Sequence, residues 1–272
     1  MCYHRMMPRL ILTALGLLIL VPAVQAADPL SEARRLYNAG QYEAAARAAR
    51  EALTVDGLAD PARVVLGRVQ LERFRQTADP ADLSAARESF RSVDPAPLKY
   101  RERLELTIGQ AEILYLDDRF GAAAELFETS LDRSVVLGTA AHERVLDWWA
   151  TALDRHAQLR AMEDRPPIYA RIVERMRAEL ALDAGSTPAS YWLAAAARGA
   201  GDLDRAWQAA IAGWVRASLA QDRGAALRAD LDRLVTQAIV PERAARLKTA
   251  DVRKAAAGMQ NEWTAFKAAW SK

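Results

Sequence analysis

Residues Ala33 to Leu53 read ARRLYNAGQYEAAARAAREAL, and the order of side-chain sizes in that stretch decides the fold. Small and apolar residues recur at helical spacing as far as Asn38, Gly40 interrupts them, and Tyr42 opens an alanine-rich second run. A glycine there supplies the positive φ that lets a chain leave one helix and enter another without strain. Small side chains at Ala33 and Ala45 let two antiparallel backbones approach closely, where large ones would splay them. The stretch therefore predicts a tight helical hairpin. The same order returns from Ala111 (AEILYLDDRFGAAAELFETSL) and from Ala194 (AAAARGAGDLDRAWQAAIAGW), with turns at Asp118 and Gly201. Their second helices open at Phe120 and Leu203 and carry small residues at Ala123 and Ala206. Asp118 tolerates a positive φ less well than glycine does.

Working outward, a fourth pair is predicted between Arg63 and Pro97, where Leu66-Gly67 opens the first helix and Ala86 and Phe90 lie in the second. Its two helices are separated by a linker over Arg75 to Asp82. A fifth pair spans Thr139 to Leu159 and Pro166 to Leu182, with Met162 to Pro167 as its turn. Intervals of 41, 37 and 83 residues between Ala45, Ala86, Ala123 and Ala206 leave room for that set. Asp28-Pro29, Asp60-Pro61, Asp79-Pro80 and Thr187-Pro188 read as helix starts, a capping side chain followed by a residue with its φ already set. Alanine, leucine, arginine and glutamate dominate, and clusters of β-branched residues are few. The expectation is an all-α chain: an α-solenoid of about five antiparallel helix pairs over 27–220, closed by a C-terminal helical cap over 221–272. In that cap, amphipathic stretches at Arg223 to Ala238 and Thr249 to Trp270 are separated by Val240-Pro241. Trp263, Phe266 and Trp270 fall on one face of the second stretch, suited to covering the open end of the last repeat.

The first 26 residues read as a cleaved secretory signal: His4, Arg5 and Arg9, an apolar run from Leu10 to Val21, and small residues up to Ala26. That run falls short of the roughly 20 residues that span a bilayer, so the expectation is a periplasmic or secreted chain with no membrane segment after cleavage. The single cysteine, Cys2, lies upstream of the apolar run and is not a lipidation site for a mature chain. Of 37 basic residues, removing Arg5 and Arg9 leaves 35 against 35 acidic ones, interspersed throughout. This balance argues against a nucleic-acid partner, which calls for a basic face.

On the hairpin residues quoted above, the chain resembles the tetratricopeptide repeat family: small residue, Leu and Tyr, Gly, aromatic or Leu, then the alanine of the second helix. Ala52-Leu53, Phe127 and Leu131 match further positions, whereas Ala49 and Gly213 depart from the pattern and the closing proline is absent. The resemblance implies a groove lined by the first helix of each pair. Carried over residue by residue, Arg34, Tyr37, Asn38, Glu112, Tyr115, Tyr191 and Arg198 face that groove. The set lacks the Lys and Asn cluster by which some family members hold a C-terminal carboxylate.

Catalytic and metal motifs fail one by one. His142-Glu143 begins like a metalloprotease pair, but Leu146 stands where the second ligand belongs. No Gly-x-Ser-x-Gly elbow or phosphate loop is present, and Gly199-Ala200-Gly201 is explained as a repeat turn. Carboxylate pairs such as Asp117-Asp118, or Glu102 with Glu105, read as solvated helix ends. No catalytic residue, metal or cofactor is expected. All seven tryptophans lie at or beyond position 148, and Trp148, Trp149 and Trp192 form a candidate aromatic pocket beside the simpler reading as core filling. The leading expectation is a scaffold that binds a protein or peptide. A small-ligand component of a solute transport system is the alternative, and a helical enzyme of unfamiliar type the third reading.

Overall fold

In a computed structural model, residues 28–220, 222–247 and 251–270 are described, and every regular element among them is helical. The expected signal segment lies outside these residues. Ten helices come in consecutive pairs: α1 (Pro29–Asn38) with α2 (Tyr42–Ala52), α3 (Ala59–Thr77) with α4 (Pro80–Arg91), and α5 (Tyr100–Leu116) with α6 (Phe120–Ser130). There follow α7 (Thr139–Gln158) with α8 (Arg165–Leu182), and α9 (Thr187–Gly199) with α10 (Leu203–Arg216). The chain then continues through α11 (Ala225–Leu234), α12 (Val240–Arg246) and α13 (Val252–Trp270). None of these helices is long and apolar enough to cross a membrane.

The three quoted hairpins share one turn geometry, bond for bond. The N–H of Gln41, Arg119 and Asp202 each reaches back to the carbonyl of Leu36, Leu114 and Ala197, at 2.8–2.9 Å. The residue before each of them, Gly40, Asp118 and Gly201, has φ of +72°, +56° and +81°. These are the bonds that satisfy the orphan carbonyls of a helix ending in a left-handed residue. The predicted small residues Ala33, Ala45, Ala111, Ala123, Ala194 and Ala206 are all fully buried. Packing of Tyr37 on Tyr42 and of Tyr115 edge-on to Phe120 repeats across the first two hairpins, at 5.8 and 5.2 Å between ring centres.

Several boundaries differ from the sequence reading. The linker expected over Arg75 to Asp82 is largely helix: α3 continues to Thr77, and only Ala78 (φ +54°) and Asp79 turn the chain. The added residues place Arg75 in ion pairs with Glu72 and Glu112, which favours the longer helix. Asp60 caps nothing, because α3 already begins at Ala59; its carboxylate pairs with Arg63 at 2.7 Å and accepts the Asp94 N–H at 3.0 Å. Before Pro188 the capping residue is Ser186 rather than Thr187. Val240-Pro241 does not separate two helices. Val235–Ile239 form a π turn and the helix runs on into α12. A proline within α-helix geometry clashes with the carbonyl four residues back, and a wider turn just before it relieves that conflict. The last helix begins at Val252 rather than Thr249, with 248–250 outside the described residues.

Packing is serial. Each helix packs on its successor through α7, and α8 to α12 continue the chain of contacts, while α1–α3, α3–α5, α7–α9 and α9–α11 also touch. No two of α2, α4, α6, α8 and α10 are in comparable contact. The odd-numbered helices therefore lie closer together than the even-numbered ones, in two runs, α1–α3–α5 and α7–α9–α11, with no comparable contact between α5 and α7. Four apolar cores follow in order, around α1 to α3, α3 to α5, α5 to α9 and α9 to α13. Phe90 fills the second of them. Its ring lies against Gly67 and Gly109, where a methyl group would sit 2.7 Å from it at Gly67 and still closer at Gly109. In the fourth, fully buried Trp263 of α13 meets Trp207, Trp214 and Phe266 with ring centres 5.4–5.9 Å apart, and its Nε1 donates to Asp232 at 2.8 Å. Trp270, on the same face, remains 53% exposed.

Candidate functional site

Three cavities open along the row of odd-numbered helices. The first, about 430 Å³, lies between α1, α3 and α5 and is lined by Arg34, Tyr37, Asn38, Arg68, Arg101 and Glu105 among others. Burial pushes the Tyr37 hydroxyl up to about 12 against the opposing pull of Arg68. Every carboxylate here answers a guanidinium. Glu102 binds Arg34 at 2.6 Å, and Glu105 takes Arg68 at 3.0 Å and Arg101 at 3.2 Å.

The second cavity, about 350 Å³, lies between α3, α5, α6 and α7. Arg75 and Glu112 are paired at its floor, and Arg75 also binds Glu72 at 2.9 Å. The Arg75 guanidinium lies 4.7 Å from the centre of the Trp148 ring, a cation–π contact that holds both in place. Phe127 and Leu116 make the apolar wall. Burial pushes the Glu112 carboxyl up to about 7 despite the opposing pull of Arg75. Its protonation state therefore changes near neutral pH.

The third and largest cavity, about 850 Å³, lies between α7, α9 and α11 and shares Asp147 and Thr151 with the second. Its aromatic floor is Tyr191 and Trp192, set edge-on with ring centres 5.5 Å apart, and Trp192 Nε1 donates to Asp147 at 2.8 Å. Glu143, Asp147, Thr151 and Asp154 follow at spacings of four, four and three, which puts them on one face of α7. Desolvation by the walls raises Asp147 and Glu143 above the usual carboxylate range; Asp230 adds to the first and Asp183 to the second.

Of the positions carried over from the repeat pattern, Arg34, Tyr37 and Asn38 line the first cavity, Glu112 and Tyr115 the second, and Tyr191 the third. Arg198 lies apart, its guanidinium held by both oxygens of Glu242 on α12 at 2.6 and 3.1 Å. The three tryptophans read as one pocket are separated. Trp148 lines the second cavity and Trp192 the third, while Trp149 is 1% exposed in the core. Adjacent residues on a helix point about 100° apart, so Trp148 and Trp149 diverge. The acidic face of α7 is absent from the sequence reading, although its spacing is legible there.

One grouping invisible in sequence joins Ser134, His142 and Glu179. His142 Nδ1 is 2.7 Å from Ser134 Oγ, and its Nε2 is 3.0 Å from Glu179. It resembles a nucleophile, base and acid in series, but Ser134 is fully buried and its hydroxyl donates to the Leu131 carbonyl at 2.6 Å. That leaves no hydroxyl proton for the imidazole to take. The group ties the 3-10 turn Ser134–Leu137 and α7 to α8. Among the described residues no cluster of His, Cys, Asp and Glu is arranged to hold a metal ion. Comparison with protein-family models, curated proteins and solved structures finds no match to this chain.

Proposed function

We propose that this chain is an exported α-solenoid of tetratricopeptide type that binds an extended segment of a protein partner along its odd-helix face. One observation carries the reading: three cavities follow one another along the odd-numbered helices, the last two sharing Asp147 and Thr151 as wall residues. Contacts between α1 and α3, α3 and α5, α7 and α9, and α9 and α11, with none comparable between even-numbered helices, support a curved array with the odd helices inside. Such arrays bind through their inner surface. Export is proposed from the basic and apolar start of the sequence, and would place the partner in the cell envelope or outside the cell.

The test is crosslinking and pull-down from envelope extract with the mature chain, beside Tyr115→Ala and Tyr191→Ala variants checked for unchanged helicity. A partner recovered by the parent chain and lost in the variants is the expected result. Recovery that ignores both substitutions would refute the assignment of the face. A second reading, a small-ligand component of a transport system, is favoured by the second cavity alone, where Trp148, Tyr115 and Phe127 surround the Arg75 and Glu112 pair. Native mass spectrometry separates the two, because a small ligand co-purifying with the chain would favour this one.

A further inference from the structure

The two ends of the odd-helix face differ in how their charges are compensated. In the first two cavities Glu102, Glu105 and Glu112 each bind at least one arginine. The third cavity carries six carboxylates, Glu143, Asp147, Asp154, Asp183, Asp222 and Asp230, against Arg144 and Arg155. Arg144 is turned toward the neighbouring cavity, 3.6 Å from Glu72 and 5.9 Å from the centre of the Trp148 ring. Of the six, only Asp230 has a cation within ion-pair distance among the described residues, Arg233 at 3.4 Å. The others accept from neutral donors: the Thr187 N–H at Glu143, Trp192 at Asp147, Tyr169 and Gln158 at Asp154, and backbone N–H groups at Asp183 and Asp222.

In a chain with equal numbers of acidic and basic residues beyond its first 26, and with arginines bridging helices elsewhere, this is a local surplus of negative charge on concave walls. Four of the six, Asp147, Asp183, Asp222 and Asp230, are exposed on one concave surface, and a cation relieves the repulsion among them, less so as salt screens it. Half-buried Tyr191 suits the same occupant, because an aromatic face attracts an ammonium or guanidinium group, while Trp192, 6% exposed, backs it edge-on. At about 850 Å³ the groove takes several side chains rather than a single ion.

We infer that the α7, α9 and α11 end of the groove docks a lysine- and arginine-bearing segment of the polypeptide partner. This rests on the reading of the odd-helix face as the binding surface and names the chemistry of what lies there. The carboxylates select the basic side chains and the aromatic floor takes their aliphatic stems.

The experiment measures binding of a lysine- and arginine-rich peptide, its glutamate-rich counterpart and spermidine to the full chain, by fluorescence anisotropy and tryptophan quenching. Asp147→Asn with Asp154→Asn keeps an acceptor oxygen at each position and removes two charges, and Glu51→Gln with Glu163→Gln, away from the groove, is the control. The basic peptide is expected to bind, to weaken with added salt, and to lose on the order of tenfold in affinity in the groove variant only. Equal binding of the acidic peptide, equal loss in the control, or binding of spermidine without the peptide would overturn the inference. Should a partner recovered by pull-down depend on Tyr115 yet ignore the Asp147 and Asp154 changes, this inference fails while the odd-helix reading stands. Independence from all of these residues would remove both.

Discussion

Replacing Glu112 by glutamine probes the buried charge at the floor of the second cavity. The carboxyl is pushed from an ordinary 4.5 up to about 7 by burial. Between those values the folded chain keeps a proton that the unfolded chain has released. Its contribution to stability is therefore complete below 4.5 and lost as pH rises through about 7. The gap corresponds to about 3 kcal/mol. A glutamine side chain has no proton to lose, and its amide oxygen still accepts from Arg75. Urea unfolding of parent and E112Q, followed by circular dichroism from pH 5 to pH 8, isolates the effect because other titrating groups cancel in the difference. Relative to E112Q, the parent should lose most of that gap in stability as pH rises. A flat difference curve, or one that rises with pH, would refute the assignment of a buried, desolvated carboxyl.

Other expectations follow from packing and backbone geometry. Trp263→Ala empties the centre of the fourth core and should cost about 3–5 kcal/mol, read as a lowered unfolding midpoint; a change within the error of the midpoint would mean that α13 is not docked. Gly109→Ala drives a methyl group into the Phe90 ring and should destabilise by about 1–3 kcal/mol, with G109A/F90L recovering part of the loss in thermal melts. Asp118→Gly relieves a left-handed aspartate and should stabilise by about 0.5–1 kcal/mol, provided that the Asp117–Arg87 ion pair beside it is kept. Glu179 is held below the usual carboxylate range by its hydrogen bond from His142, with Arg175 adding to the effect. Its contribution is present above the unfolded value of 4.5 and lost as pH falls through the depressed folded value, so Glu179→Gln should flatten the acid limb of the stability curve.

The hairpins could be read from sequence because their causes are local: a small residue, a turn position with positive φ and a second small residue lie within about a dozen positions. Boundaries failed where the deciding contact was distant. Nothing within Arg75 to Thr77 announces that Arg75 will meet Glu112 and Trp148, so a stretch ahead of Asp79-Pro80 read as linker. Pro241 carries a strong breaking signal, and the π turn that overrides it has no signature of its own. The site divides in the same way. Carrying repeat positions over placed Tyr37 and Tyr115 on cavity walls, since both stand four residues after the small residue of their helix; Tyr191, two turns earlier in its own helix, also lines a cavity. Arg198 has the same register but is claimed by Glu242, 44 residues away. The uncompensated charge of the third cavity is a property of three helices and two loops, and emerges only when their neighbours are known.

The four cores in series mean that this molecule has no centre. Damage at Leu30 or Leu66 falls on a core that shares no residue with the one around Trp263, two further cores lying between them along the chain. Loss of structure should then spread from an end, one helix pair at a time, and stop where the next core holds. Limited proteolysis would leave a ladder of fragments cut between pairs, their sizes recording how far the fraying had travelled.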